Sequence, residues 1–255
     1  MARRSSDRGF ASTPLEADVA RYRPFCGLAI VGLVVGWLSA LAILDPLLWF
    51  LPVLGVVLSA IALRRIAASD PPLVGRTAAV AGLGLSVAFA VAAPTDFYYS
   101  RWTLRQEARE FGLQWFQLLA NDEPEKACQL YESPASRQPL DETLWDYYPL
   151  GSESRATLES FVTRRAAHAL LLLRNGAQVR YYDTDGQWTN NGRDCVAQTF
   201  AVTFSSEGET QTFFVRLTME RSQVEGQRRG FWRVLREEEG FVPAALGGKP
   251  PPVGA

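Results

Sequence analysis

The stretch FCGLAIVGLVVGWLSALAIL, Phe25 to Leu44, decides how the chain is read. It holds 20 residues and no charge. A helix of that length, rising about 1.5 Å per residue, matches the roughly 30 Å hydrocarbon core of a bilayer. Asp45-Pro46 interrupts it, because proline lacks an N–H and disfavours helical backbone in the residue before it. Leu47 to Leu63 is a second apolar run, with Trp49 and Phe50 at its start, where aromatic rings favour the headgroup layer. Thr77 to Ala93 is a third, richer in Ala and Gly, and Pro94-Thr95-Asp96 is expected to end it. Phe97, Tyr98, Tyr99 and Trp102 follow as an aromatic cluster of the kind found at a bilayer surface. The expected architecture is an α-helical membrane hairpin or three-helix bundle over residues 25–96, with spans at 25–44, 47–63 and 77–93. A buried hairpin of a water-soluble protein is the alternative, and nearly 70 residues with so few charges weigh against it.

Small residues recur at helical spacing in each run: Gly32, Gly36 and Ala40; Gly55 and Ser59; Ala78, Gly82 and Ser86. Such stripes let helices approach closely in lipid, so they predict packing among these three segments. Orientation follows from the excess of Lys and Arg on the cytoplasmic side. The polar tail, residues 1–24, carries Arg3, Arg4, Arg8, Arg21 and Arg23; the first loop carries no basic residue; the second has Arg64, Arg65 and Arg76. The tail and second loop are therefore expected inside, and the Asp45-Pro46 turn and the C-terminal domain outside. Arg101, Arg105 and Arg109 pull the other way, and if the third segment fails to cross, the C-terminal domain is cytoplasmic. The tail is too long and polar for a cleavable signal peptide, so the first span is expected to direct insertion into the cell (inner) membrane. The lipid bilayer is the expected partner, with a further membrane protein or a small ligand open. A net charge of −1 argues against nucleic-acid binding.

Ala62-Leu63-Arg64-Arg65-Ile66, a short Pro-containing loop, then Gly75-Arg76-Thr77-Ala78-Ala79-Val80-Ala81-Gly82-Leu83, resembles a small bacterial multi-pass membrane module known only as a domain of unknown function. The likeness covers roughly residues 26–93 and implies no activity. It implies two clear spans more firmly than three.

Residues 97–240 read as one soluble α+β domain. Leu104, Ala108, Phe111, Trp115, Leu118 and Leu119 give an apolar helical face over residues 103–120. Asp122, with Glu125 three residues on, is expected to cap a second helix running to Tyr131. Leu140 to Tyr148 reads as a short helix or turn. Ser154 to Arg174 reads as one longer helix closed by Asn175-Gly176. The period then changes. A strand begins at Val179–Tyr182 and is expected to turn at Asp183-Thr184-Asp185-Gly186. Val196, Phe200, Val202 and Phe204 form a half-buried strand, and Phe213, Val215, Leu217 and Met219 another, separated by a turn at Glu207-Gly208-Glu209. A loop near Gly226 leads to Phe231–Arg236, and residues 241–255, rich in Gly and Pro, read as a disordered tail.

Helices followed by an antiparallel meander form an α+β layout. With Trp115-Phe116-Gln117-Leu118-Leu119-Ala120-Asn121-Asp122, then Ala127 and Leu130, this resembles the start of nuclear-transport-factor-2-like (NTF2-like, or cystatin-like) domains. The resemblance implies helices packed on a curved antiparallel sheet around a conical pocket. The long helical run between Leu140 and Arg174 departs from it.

Catalytic signals are weak. His168 is the single histidine, with a general base as one reading and a structural or surface role as the other. With no second histidine and no paired cysteines, no metal site is expected. Asp183-Thr184-Asp185-Gly186 resembles a fragment of a calcium loop, but lacks the rest of the pattern. Glu237-Glu238-Glu239 reads as a solvated terminus. No nucleophile elbow, phosphate loop or dinucleotide fingerprint is present, and no cofactor is expected. Trp115, Tyr131, Trp145, Tyr181 and Asp183 are the residues that would suit a small-ligand pocket. The functional expectation is a binding or assembly module on a membrane anchor. The alternative is a membrane-anchored enzyme using a pocket acid, with Tyr181 or Asp183 in that role. Of three cysteines, Cys26 is expected to be free, while Cys128 and Cys195 either form a disulfide outside the cytoplasm or remain two buried thiols.

Overall fold

The computed structural model describes residues 26–69, 74–206, 208–222, 230–243 and 246–248. The chain divides into two units, Met1–Arg101 and Trp102–Ala255. The polar tail, Asp70-Pro71-Pro72, Glu207, the loop near Gly226 and most of the C-terminal tail lie outside the described residues.

In the first unit, helix α1 (Gly27–Leu38) runs on as a 3-10 turn, Ser39–Ile43. Asp45 then adopts extended backbone, and its Oδ1 accepts the Leu47 N–H at 2.8 Å. A proline at the first position of the next turn, Pro46–Trp49, loses nothing by lacking an N–H. Helix α2 is Phe50–Ala68 and helix α3 is Arg76–Ala120, whose residues beyond Arg101 belong to the second unit. The expectation that Pro94-Thr95-Asp96 ends the third helix is overturned. Pro94 lies inside α3. One missing backbone bond costs about 3 kcal/mol, and the 26 helical residues that follow carry the helix through it.

The interior of this unit is made of small side chains. Ala29, Gly32, Gly36, Gly55, Ser59, Ala62, Ala79, Gly82 and Ser86 are all buried. A Cβ added at Gly82 would stand 2.8 Å from the Gly32 carbonyl carbon, and one at Gly36 would stand 2.7 Å from the Gly82 carbonyl oxygen. One at Gly55 would collide with the Ser86 hydroxyl, which donates to the Gly82 carbonyl at 2.7 Å. The small-residue stripes read from the sequence are thus the contact surfaces of α1, α2 and α3. The large apolar side chains point outward: Ile30, Val34, Trp37, Val57 and Val91 are among those exposed. Two helical segments, Pro46–Ala68 and Arg76–Ala120, are long and apolar enough to cross a membrane, their most apolar 18-residue windows having mean hydropathies of 2.3 and 1.8; Gly27–Ile43 is a shorter apolar helix.

The second unit is an α+β arrangement. Its helices are α4 (Pro124–Gln129), α5 (Glu153–Val162) and α6 (Arg165–Leu173), with the end of α3 beside them. Its strands are β1 (Ala177–Asn190), β2 (Arg193–Ser206), β3 (Glu209–Ser222) and β4 (Phe231–Glu239), an antiparallel meander in the order β1-β2-β3-β4. Leu104, Ala108, Phe111, Trp115 and Leu119 bury the face of α3 that the sequence marked. Gly112 sets how close α3 comes to the sheet, since a Cβ there would lie 2.5 Å from Phe200 Cζ. Aromatic rings fill the space between them: Trp115 against Phe116 (4.9 Å between centroids), Phe116 against Phe200 (5.0 Å) and Trp115 against Phe161 (6.4 Å).

Several local expectations are corrected here. Asp122 does not cap α4; it adopts a positive φ of 64° and pairs with Arg174, and the cap position falls on Glu123. The single helix expected over residues 154–174 is two, broken at Arg164, which is extended (ψ 139°). There the Arg164 guanidinium reaches Glu237 at 2.9 Å and lies over the Tyr131 and Phe161 rings, a set of contacts made across the fold. Positive φ at the end of α6 falls on Arg174, not on Gly176.

The hairpin turn expected at Asp183–Gly186 is instead Asn191-Gly192, with φ of 49° and 76°. Asn-Gly suits a two-residue hairpin because both residues tolerate left-handed backbone. Asp183–Gly186 lies within β1, where the register with β2 shifts twice, the mark of β-bulges.

β2 is not half-buried. Cys195 through Phe200 are buried on both faces. The face away from α3 carries Asp185, Thr199, Arg216 and Glu238, with the Phe241 ring 4.1 Å from the Arg216 guanidinium. The Glu237–Glu239 run is strand, not a solvated terminus. Glu237 accepts from the Tyr131 hydroxyl and pairs with Arg164, Glu238 pairs with Arg216, and burial raises the Glu239 carboxyl above its usual range.

Candidate functional site

The five residues that the sequence offered as a pocket do not converge. Trp115 is fully buried in the aromatic core. Tyr131 is spent on Glu237. Trp145 is half exposed, with the Arg155 guanidinium 5.7 Å from its ring. The Tyr181 ring packs edge-on to Phe200 and its hydroxyl meets Thr184 at 2.9 Å. Asp183 is exposed, and its Oδ1 accepts the Thr184 N–H. Between α3 and the sheet, Trp115, Phe116 and Phe200 pack ring against ring. His168 is exposed on α6. Among the described residues, no group of three or more His, Cys, Asp or Glu could hold a metal ion. Cys128 and Cys195 are both free and buried.

A cavity of about 440 Å³ does occur elsewhere in the second unit. That is within the roughly 300–1,000 Å³ range of small-molecule sites. Three segments line it: Cys128, Gln129 and Glu132 at the end of α4; Tyr147 and Tyr148; and Ser152, Glu153, Ser154 and Thr157 at the start of α5. Two side-chain caps place the last two segments. Asp141 Oδ1 accepts the Thr143 N–H at 3.0 Å and opens the 3-10 turn Glu142–Tyr147. Ser152 Oγ accepts the Arg155 N–H at 3.1 Å and opens α5. Arg137 holds the end of α4, donating to the carbonyls of Gln129 at 3.1 Å and Trp232 at 2.7 Å.

At the inner wall, Gln129 Nε2 donates to the Tyr148 hydroxyl at 2.7 Å, and Gln129 Oε1 accepts the Gln138 N–H at 3.0 Å. Gln129 is 2% exposed and Tyr148 5%, so both are held rigidly as polar groups in a buried setting. Beside them burial pushes the Cys128 thiol from its ordinary 9.0 up to about 11, and pushes the Tyr148 phenol up as well. The Glu125 carboxyl, 5% exposed, is also raised, chiefly by burial, and its Oε2 has no partner among the described residues. Burial thus keeps the Cys128 thiol protonated at neutral pH. Cys128 is expected to alkylate slowly at pH 8. The rate should rise with pH toward a midpoint near 11, two units above an ordinary thiol, as the thiolate fraction grows. Timed iodoacetamide labelling with peptide mapping measures this, and a midpoint near 9 would contradict it.

Sequence reading missed this cavity because its lining has no periodic signature. The residues come from a helix end, a 3-10 turn and a helix start, and most are the Ser, Thr and Glu types that caps and surfaces use anyway.

No family model, no curated protein and no solved structure matches the chain.

Proposed function

We propose that the chain is a multi-pass inner-membrane protein that displays the second unit outside the cytoplasm as a binding module of NTF2-like layout. The observation that carries the membrane reading is the inverted burial of the first unit. Gly, Ala and Ser fill its interior, while Ile, Val, Leu and Trp stand outward. In water that exposure is unfavourable by about 25 cal/mol per Å² of apolar surface, whereas in lipid it costs nothing and the small residues supply close backbone packing. Trp49, Phe97 and Tyr98 cluster within 5.6–6.4 Å between centroids, which suits a headgroup layer at the end nearest the Asp45-Pro46 turn. Arg64, Arg65 and Arg76 flank the other loop, which suits the cytoplasmic side. The binding role rests on the 440 Å³ cavity with its fixed polar wall. No acid in that wall is arranged with a nucleophile or base partner, so binding is favoured over catalysis.

Alkaline phosphatase fused after Arg105 is expected to be active, and a cytoplasm-dependent fluorescent protein fused there to be dark. Bright fluorescence with an inactive phosphatase would overturn the outside assignment.

A further inference from the structure

The cavity bounded by α4 and α5 is lined by two carboxylates, five hydroxyls and no basic side chain. Its three aliphatic hydroxyls are engaged with protein partners. Ser152 donates to the Pro149 carbonyl at 2.8 Å, Ser154 to the Tyr147 carbonyl at 2.7 Å, and Thr157 to the Glu153 carbonyl at 3.0 Å. Thr157 therefore keeps oxygen lone pairs for the space, whereas Ser152 Oγ already accepts the Arg155 N–H at 3.1 Å and shares a 2.8 Å hydrogen bond with Ser154 Oγ. Tyr148 accepts from Gln129 and directs its own proton to the Glu125 carbonyl at 3.4 Å. Glu132 and Glu153, both exposed at the rim, are acceptors only when ionised, and neither is in an ion pair among the described residues. No Lys or Arg lines the cavity. Tyr147, 44% exposed, forms part of its wall.

We propose that this cavity binds a small primary-amine cation. An ammonium group carries three donors and no acceptor, and it complements hydroxyl lone pairs, two carboxylates and an aromatic side chain. A neutral polyol gains nothing from the two carboxylate charges, which an ammonium group answers directly. The assignment rests on the second unit being a binding module and adds the chemistry of what it binds.

The probe pair is 1,4-diaminobutane and its neutral isostere 1,4-butanediol, titrated into the full chain in detergent at pH 7.5. Calorimetry measures affinity. Protection of Cys128 from alkylation reports occupancy at this cavity, and Cys195, buried elsewhere, is the internal control. The diamine is expected to bind at least tenfold more tightly than the diol and to slow labelling of Cys128 without affecting Cys195. Glu132→Gln with Glu153→Gln is expected to weaken diamine binding at least tenfold while leaving the melting temperature unchanged. Equal binding of diol and diamine, undiminished binding by the double variant, or no protection of Cys128 would each overturn the amine assignment. A different molecule retained in native mass spectrometry, with neither probe binding, would overturn the amine assignment alone and leave the binding module standing.

Discussion

Gly82→Leu is expected to prevent the first unit from forming, while Gly84→Leu, two residues along the same helix, is expected to be silent. The contrast follows from geometry. At Gly82 even a Cβ would stand 2.8 Å from the Gly32 carbonyl carbon and oxygen and 2.8 Å from the Leu33 nitrogen. All three are backbone atoms of α1, which cannot rotate aside as a side chain would. At Gly84 a Cβ meets nothing within 4 Å. Leucine is the better helix former at either site, so propensity favours both substitutions by about 0.8–1 kcal/mol. Overpacking a tight interior commonly costs about 1–3 kcal/mol. A whole isobutyl group driven into backbone should exceed that range, because α1 and α3 must separate along their shared face. The same displacement breaks the neighbouring contacts, since Gly36 faces Gly82 and Ser86 faces Gly55. The expected readout is loss of the monodisperse peak in detergent and a several-fold fall in membrane-inserted yield for Gly82→Leu, against wild-type behaviour for Gly84→Leu. Equal tolerance of both would mean that α1 and α3 are not held together at this point.

That pair of glycines also shows what the sequence made legible. Spacing alone placed Gly82 and Ser86 on one stripe, and the stripe is where the helices meet. Strong, long-range periodicity survives tertiary context, so the apolar helices, the buried face of α3 and the existence of β2 and β3 could be read, although both strands are covered on two faces where alternation implied one. Local punctuation could not. Pro94 looked like a helix end and lies mid-helix, because cooperativity beyond it outweighs one lost bond. Asp183-Thr184-Asp185-Gly186 looked like a turn, yet Asn191-Gly192, eight residues after Asp183, has the better turn chemistry and takes the hairpin. The helix breaks at Arg164, whose guanidinium pairs with Glu237, 73 residues away and beyond the reach of local sequence reading.

The candidate site was almost wholly illegible, for a related reason. Density of aromatics suggested a pocket, but large rings repay burial best when packed together, and Trp115, Phe116, Phe161 and Phe200 are packed that way. The actual cavity is lined by residues whose sequence neighbours give no hint that they converge. The charged groups behaved similarly. Asp185 looked like part of a turn and Glu238 like a solvated terminus, and the fold pairs both with the buried Arg216.

Arg216→Met is therefore expected to destabilise the second unit strongly. The Arg216 side chain is 7% exposed and that of Asp185 9%. Arg216 Nε donates to Asp185 Oδ2 at 2.9 Å, Nη1 donates to Glu238 Oε2 at 3.0 Å, and Thr199 completes the set by donating to the same Asp185 oxygen at 2.5 Å. The guanidinium thus links a bulged segment of β1 to β3 and β4. Methionine fills much the same volume and leaves the Phe241 ring a partner to pack on. What it removes is the positive charge between two carboxylates. Glu238, 29% exposed, can turn toward water, but Asp185 is left charged and buried with one hydroxyl donor. Breaking a buried pair in this way costs about 3–5 kcal/mol, mostly as the penalty on the abandoned partner. Replacing both members by apolar groups of similar size is often near neutral. Arg216→Met with Asp185→Leu should accordingly recover more than half of the loss, even though it removes one more hydrogen bond. Thermal unfolding of the full chain in detergent, followed by tryptophan fluorescence, gives the comparison. If the double variant melts as low as Arg216→Met alone, the uncompensated carboxylate is not the source of the damage, and the role of Arg216 lies in the shape of its packing against Phe241 rather than in its charge.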